Sequence, residues 1–205
     1  IRLCPDSADA LNALGNAHYA LLDYTLAERF YRKALLLNPE HADVHNNLGN
    51  TLAKQNRLDE AEKCFKLGLK LDPKRPEFLT NLGGVLQAQG RIDEAIDKFD
   101  EALVIDPDYA DGYWNRSLAR LLTGNFVEGF ADYEWRFKLP EFFSVKPDIP
   151  LWKDQSLAGK TILINSEQGY GDTIQFSRYA SMLSERGAKV LLETHKPLAR
   201  LFEMM

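Results

Sequence analysis

Apolar and small residues return along this chain at intervals of 34 residues. Leu14, Leu48 and Leu82 each precede a glycine: Gly15, Gly49 and Gly83. Ala27, Ala61 and Ala95 keep the same step, as do the aromatics Tyr31, Phe65 and Phe99 and the prolines Pro5, Pro39, Pro73 and Pro107. This pattern predicts two amphipathic helices per unit, a first (A) and a second (B), joined by a turn. In helix A the fourth, seventh, eighth and eleventh positions form the core side, which in the second unit means His45, Leu48, Gly49 and Leu52. The small residues at the eighth and twentieth positions let A and B approach closely, and the aromatic at the twenty-fourth is expected to fill the gap to the next unit. Proline cannot continue helix B and ends it. The acids that follow, Asp6, Glu40 and Asp108, suit the start of the next helix A, where the dipole favours anions.

Three units are clear, at 8–41, 42–75 and 76–109, and a degenerate fourth spans 110–138. In the fourth, Ser117 replaces the glycine, Gly129 the alanine, and Arg136 stands where a small residue is expected. Tyr133 keeps the aromatic position, while Tyr113, Trp114, Phe126, Phe130, Trp135 and Phe137 add bulk suited to a cap or to contact with another domain. Residues 1–7 read as the tail of a preceding unit, so the array is expected to continue upstream. A 34-residue period with small residues and a proline is the signature of the tetratricopeptide repeat (TPR). The resemblance implies an α–α superhelix, because one unit cannot bury its apolar face alone.

On helix A the second, sixth, ninth and thirteenth positions lie opposite the core side. The family resemblance places that face on the concave surface. It carries Asp9, Asp43, Glu77 and Asp111; then Ala13, Asn47, Asn81 and Asn115; then Asn16, Asn50, Gly84 and Leu118. Asparagine is a middling-to-poor helix former, and its amide offers a donor and an acceptor together. The column therefore reads as a clasp for the backbone of an extended peptide, and resembles the asparagine ladder of O-GlcNAc transferase. The competing reading is a family-typical surface string.

After about residue 138 the composition changes. Residues 139–159 hold Pro140, Pro147 and Pro150 and read as a mostly extended linker. Residues 160–205 then show a short apolar strand (161–166), a loop (167–172), an amphipathic helix (173–186), a second strand (189–194) and the start of another helix at Pro197. That order opens a parallel α/β sheet. Gly159-Lys160-Thr161 is not a phosphate-binding loop, since Asp154 stands where the earlier glycine would be and the triplet precedes the strand. Gly169 and Gly171 are the better anion-loop candidate; the competing reading is a tight turn with Asp172 as helix cap. The strings at 132–137, 150–152, 157–163 and 167–179 resemble bacterial proteins in which such an array runs into a glycosyltransferase-like domain of the heptosyltransferase type. The resemblance implies a GT-B, Rossmann-like lobe of which only the first part is present, with Asp172 as general base in the complete protein.

The fold class expected is therefore mainly α, a TPR superhelix followed by a truncated α/β segment. Charge adds little: the net charge of −5 and absence of a basic stripe argue against nucleic acid or an anionic membrane as partner. No apolar run spans a bilayer. Cys4 and Cys64 form neither a disulfide framework nor a zinc pattern, which fits a reducing, cytoplasmic setting. His41 and His45 lie one helical turn apart but have no third ligand, so no metal or other cofactor is expected. The functions in view are a protein- or peptide-binding scaffold, the amino-terminal part of a glycosyltransferase whose array presents the acceptor, and a structural module. Two strands and two helices are too few to stand alone, so the last segment is expected to lean on the fourth repeat or pair with a second copy as a homodimer.

Overall fold

A computed structural model describes residues 7–140, 150, 152, 155–166 and 169–204. The expected preceding-unit tail, all but Ser7, and most of the expected linker lie outside the described residues. The chain forms two compact units, Ile1–Phe142 and Phe143–Met205.

The first unit is a run of antiparallel helix pairs. The A helices are α1 (Ala8–Ala20), α3 (Ala42–Lys54), α5 (Pro76–Ala88) and α7 (Ala110–Leu122). The B helices are α2 (Tyr24–Leu37), α4 (Leu58–Leu71), α6 (Ile92–Ile105) and α8 (Phe126–Tyr133), the last running into a 3₁₀ turn, Glu134–Lys138. Ser7 caps α1 by accepting from the Ala10 N–H at 3.0 Å, and Asp23 caps α2 by accepting from Leu26 at 3.1 Å. Each A–B turn has one residue in the left-handed region: Leu22, Asn56, Gly90 and Gly124 at φ of 62°, 61°, 80° and 81°. At the other end of each B helix, the residue before the proline (Asn38, Asp72, Asp106) is extended, as the pyrrolidine ring requires.

The core explains the glycines. A Cβ at Gly15, Gly49 or Gly83 would lie 2.4, 2.7 or 2.4 Å from the ring of Tyr31, Phe65 or Phe99. The aromatic thus seats on the glycine of its own repeat, which corrects the expectation that it mainly fills the gap to the next one. The rings are buried, and with Ala27, Val44, Leu52, Leu86 and Ala119 they belong to one continuous core. Leu14 departs from its equivalents. It is 45% exposed where Leu48 and Leu82 are buried, because no helix precedes α1 among the described residues.

Ion pairs stitch the repeats on the B side with the same period. Arg57 bonds Glu28 and Glu60, and Arg91, one period on, bonds Glu62 and Glu94. Glu60 therefore has a fixed partner on the surface of α4. The fourth repeat is rebuilt around charge. Arg116 replaces the leucine of the other A helices and donates to both oxygens of buried Asp132 at 2.7 and 2.8 Å, while Arg120 donates to the same carboxylate at 2.8 Å. Arg136 is buried with its guanidinium over the Tyr133 and Phe137 rings, at 4.3 and 3.9 Å. Tyr113 stacks on Trp135 at 3.9 Å.

The second unit contains β1 (Thr161–Asn165), α9 (Tyr170–Phe176), α10 (Arg178–Glu185), β2 (Lys189–Glu193) and α11 (Lys196–Phe202). The strands pair in parallel, Leu163 opposite Leu191. Ile162, Ile164, Val190 and Leu192 share the half-buried face, and Leu163 and Leu191 lie on the exposed one. Two local expectations change. The helix begins at Tyr170, so Gly169 is its cap, and Gly171 and Asp172 belong to its first turn instead of a loop. The long helix also divides at Ser177, whose hydroxyl donates back to the Ile174 carbonyl at 2.7 Å, a bond that bends helices.

Candidate peptide-binding groove

Successive A helices touch one another, which brings their outward faces side by side. Three acids of the column at the second position pair with the residue that ends a unit, their own or the preceding one. His41 Nε2 lies 3.1 Å from Asp9, and Arg75 bridges Asp43 at 3.1 Å and Glu77 at 2.6 Å. Asp111 is exposed in the first turn of α7. Asp9, Asp43 and Glu77 thus each hold an ion-pair partner at the junction of two repeats. The signal that could have revealed this was present, because His41, Arg75 and Tyr109 recur with the same period.

The asparagines form cross-helix links. Asn47 Nδ2 donates to Asn12 Oδ1 at 3.0 Å and to Asn16 Oδ1 at 3.1 Å. Tyr31 OH also donates to Asn16, at 2.7 Å; burial pushes its phenol up to about 12, so it stays a donor at neutral pH. Asn81 Nδ2 donates to Asn46 Oδ1 at 2.9 Å. Asn115 Nδ2 instead bonds the Asp111 carbonyl of its own helix at 2.8 Å. Asn12 and Asn46, at the fifth position of their helices, were not singled out from the sequence. A single-helix wheel gives no reason for a fifth-position amide, which matters only once the next helix lies against it.

A cavity of about 280 Å³ opens on this face. Its lining comes from α1, α3, α5 and α7 and includes Asn50, Asn81 and Asn115, with Phe65 from α4 beneath. The structure therefore brings three of the predicted groove residues to one cavity. Asp9, Asn16, Asp43, Asn47, Glu77 and Asp111 do not line it. The cavity offers amide dipoles over an apolar floor, which suits binding an uncharged main chain.

The other predicted positions are dispersed. Asp172 is exposed on α9, in the second unit. No cluster of three or more His, Cys, Asp or Glu side chains able to hold a metal occurs among the described residues. His45 Nε2 bonds the Pro39 carbonyl at 2.8 Å, away from the partner of His41. No helix among the described residues is long and apolar enough to cross a membrane.

Residues 8–41 and 42–75 match the family model described as tetratricopeptide repeat, and residues 85–124 match a second model described as TPR repeat. No curated protein matches the chain in sequence. Among solved structures, MamA is similar at 20% identity and a TM-score of 0.60, covering 67% of this chain and 81% of its own. PilF of Pseudomonas aeruginosa is similar at 26% identity and a TM-score of 0.60, covering 66% of this chain, which spans 62% of PilF. The TPR domain of Arabidopsis OM64 is similar at 23% identity and a TM-score of 0.55, covering 56% of this chain and 95% of its own. All three likenesses lie within a helical-repeat fold.

Proposed function

The chain belongs to the tetratricopeptide-repeat family, a scaffold for protein–protein interaction, and from that premise we propose that it holds an extended peptide segment in the groove of its A helices. The observation carrying this reading is the cavity lined by Asn50, Asn81 and Asn115 across adjacent helices. Amides in a row recognise main chain with little side-chain demand, because every peptide unit offers one N–H and one C=O. The test is a peptide array probed with the wild-type chain and with the triple variant Asn50→Ala, Asn81→Ala, Asn115→Ala, with helix content checked by circular dichroism. Loss of binding with helices intact is expected. Undiminished binding by the triple variant would sink the proposal.

A second reading concerns the unit at 143–205. It is the opening of a glycosyltransferase-like lobe, with the array presenting the acceptor. Parallel pairing of β1 and β2 around α9 and α10 supports it, since a parallel pair needs a crossover of this kind. In that reading Asp172 is the general base. A transferase assay on the complete gene product with Asp172→Asn tests it, and unchanged turnover removes Asp172 from the mechanism. Among the described residues the sheet has two strands and open edges, so pairing with a second copy belongs to the same proposal. Light scattering that finds only monomer would exclude it.

A further inference from the structure

The floor of the groove is uneven, and α5 makes the difference. At its ninth and thirteenth positions α3 carries Asn50 and Lys54, whereas α5 carries Gly84 and Ala88. A Cβ at Gly84 would meet nothing within 4 Å. The cavity of about 280 Å³ opens at that gap, with Phe65 and Val85, both buried, as its apolar wall. Lys54, also in the lining, is exposed and has no salt bridge among the described residues. No carboxylate lines the cavity among those residues. The amide nitrogens of Asn81 and Asn115 are already engaged by Asn46 and the Asp111 carbonyl, which leaves their carbonyl oxygens to accept.

We propose that this dent is the specificity subsite of the groove: it seats one aliphatic side chain of an extended segment whose neighbouring residue is acidic and faces Lys54. Asn81 and Asn115 accept main-chain N–H groups on either side of that anchor. The proposal rests on the peptide-groove reading and adds to it a sequence preference. An aliphatic anchor follows from the apolar side of the lining, where Leu58, Phe65, Val85 and Ala88 offer it contact beside the gap at Gly84. The acid follows from a cation at the groove that nothing in the cavity compensates, where a basic neighbour would be repelled. Aromatic and small residues around the period are absorbed by the core, but Gly84 and Ala88 are not; their smallness opens space on the binding side.

The experiment uses a library of octapeptides with two adjacent randomised positions flanked by Gly and Ser, probed with the wild-type chain, Lys54→Glu and Gly84→Leu. The wild type should select an aliphatic residue beside Asp or Glu. Lys54→Glu should shift the second preference from acidic to basic by roughly two- to fivefold, the size expected of an exposed ion pair. Gly84→Leu fills the dent and should weaken the aliphatic-selected peptides by about tenfold or more, the worth of burying such a side chain. Lys54 is exposed, so its variant reports on binding even if Gly84→Leu folds poorly. If the wild type binds peptides without preference at either position, or keeps its preferences in both variants, the subsite is wrong and the groove reading stands. If the wild type binds no peptide at all, both fall together.

Discussion

Gly83 and Gly84 are adjacent in α5 and should respond oppositely to the same change. Replacing either by alanine gains the same helix propensity, about 1 kcal/mol. The difference between the two variants therefore isolates what the new methyl group meets. At Gly84 it meets nothing within 4 Å. At Gly83 it would lie 2.4 Å from Phe99 Cε1 and 2.8 Å from Cδ1, against a contact optimum of about 3.5–4.0 Å for two carbons. The ring must move by about 1 Å, and Phe99 is fully buried, where interiors are close-packed and resist such a shift. Overpacking of this kind costs about 1–3 kcal/mol. Gly84→Ala should be more stable than wild type by up to about 1 kcal/mol, and Gly83→Ala should fall below Gly84→Ala by about 1–3 kcal/mol. Urea unfolding followed by far-ultraviolet circular dichroism measures both, the midpoints moving at similar slope. A second substitution, Phe99→Leu, should recover part of the Gly83→Ala deficit, because it removes the clashing ring atoms. Equal stability of the two alanine variants would refute the reasoning that the glycine–aromatic contact sets the distance between helices A and B.

Other consequences follow from the same geometry. Leu22 holds φ of 62°, a conformation costing a non-glycine residue about 1–2 kcal/mol, so Leu22→Gly should stabilise the chain by up to about 1 kcal/mol after glycine's entropy is subtracted; a lower melting temperature would contradict this. Asp132→Ala should cost about 1.5–3 kcal/mol, because it removes the buried carboxylate that Arg116 and Arg120 share and leaves half-buried Arg116 paired with Asp100 alone, and thermal unfolding of Asp132→Leu combined with Arg116→Met should recover part of the loss. The hydrogen bond from Lys66, aided by Arg91 and Gln89 against the effect of burial, holds the Glu62 carboxyl down to about 2. A depressed acid contributes fully above its unfolded value of about 4.3 and loses that contribution as pH falls from there towards about 2. Melting temperatures across that window should therefore drop less in Glu62→Gln than in wild type, and parallel curves would show that the pair contributes nothing.

Sequence alone determined the array. The 34-residue step of Pro39, Pro73 and Pro107 marks where each B helix must stop, and the Gly–aromatic step marks where A and B must meet. Both are local constraints: a missing N–H and a missing side chain act the same way in any context. The parallel β1–β2 pair was legible for a similar reason, because two short apolar runs separated by a helix have few other arrangements. Tertiary structure alone decided the roles of polar side chains. Whether Asn47 faces a ligand or Asn12, whether Asp43 is free or held by Arg75, and whether Arg136 is exposed or buried over two rings all depend on the helix next door. A hydrogen bond or ion pair joins residues a period apart within a few ångströms, and a wheel drawn for one helix does not contain that distance. The dent at Gly84 is the same kind of fact. Its glycine is visible in the sequence, but the space above it exists only because α3, α5 and α7 stand side by side.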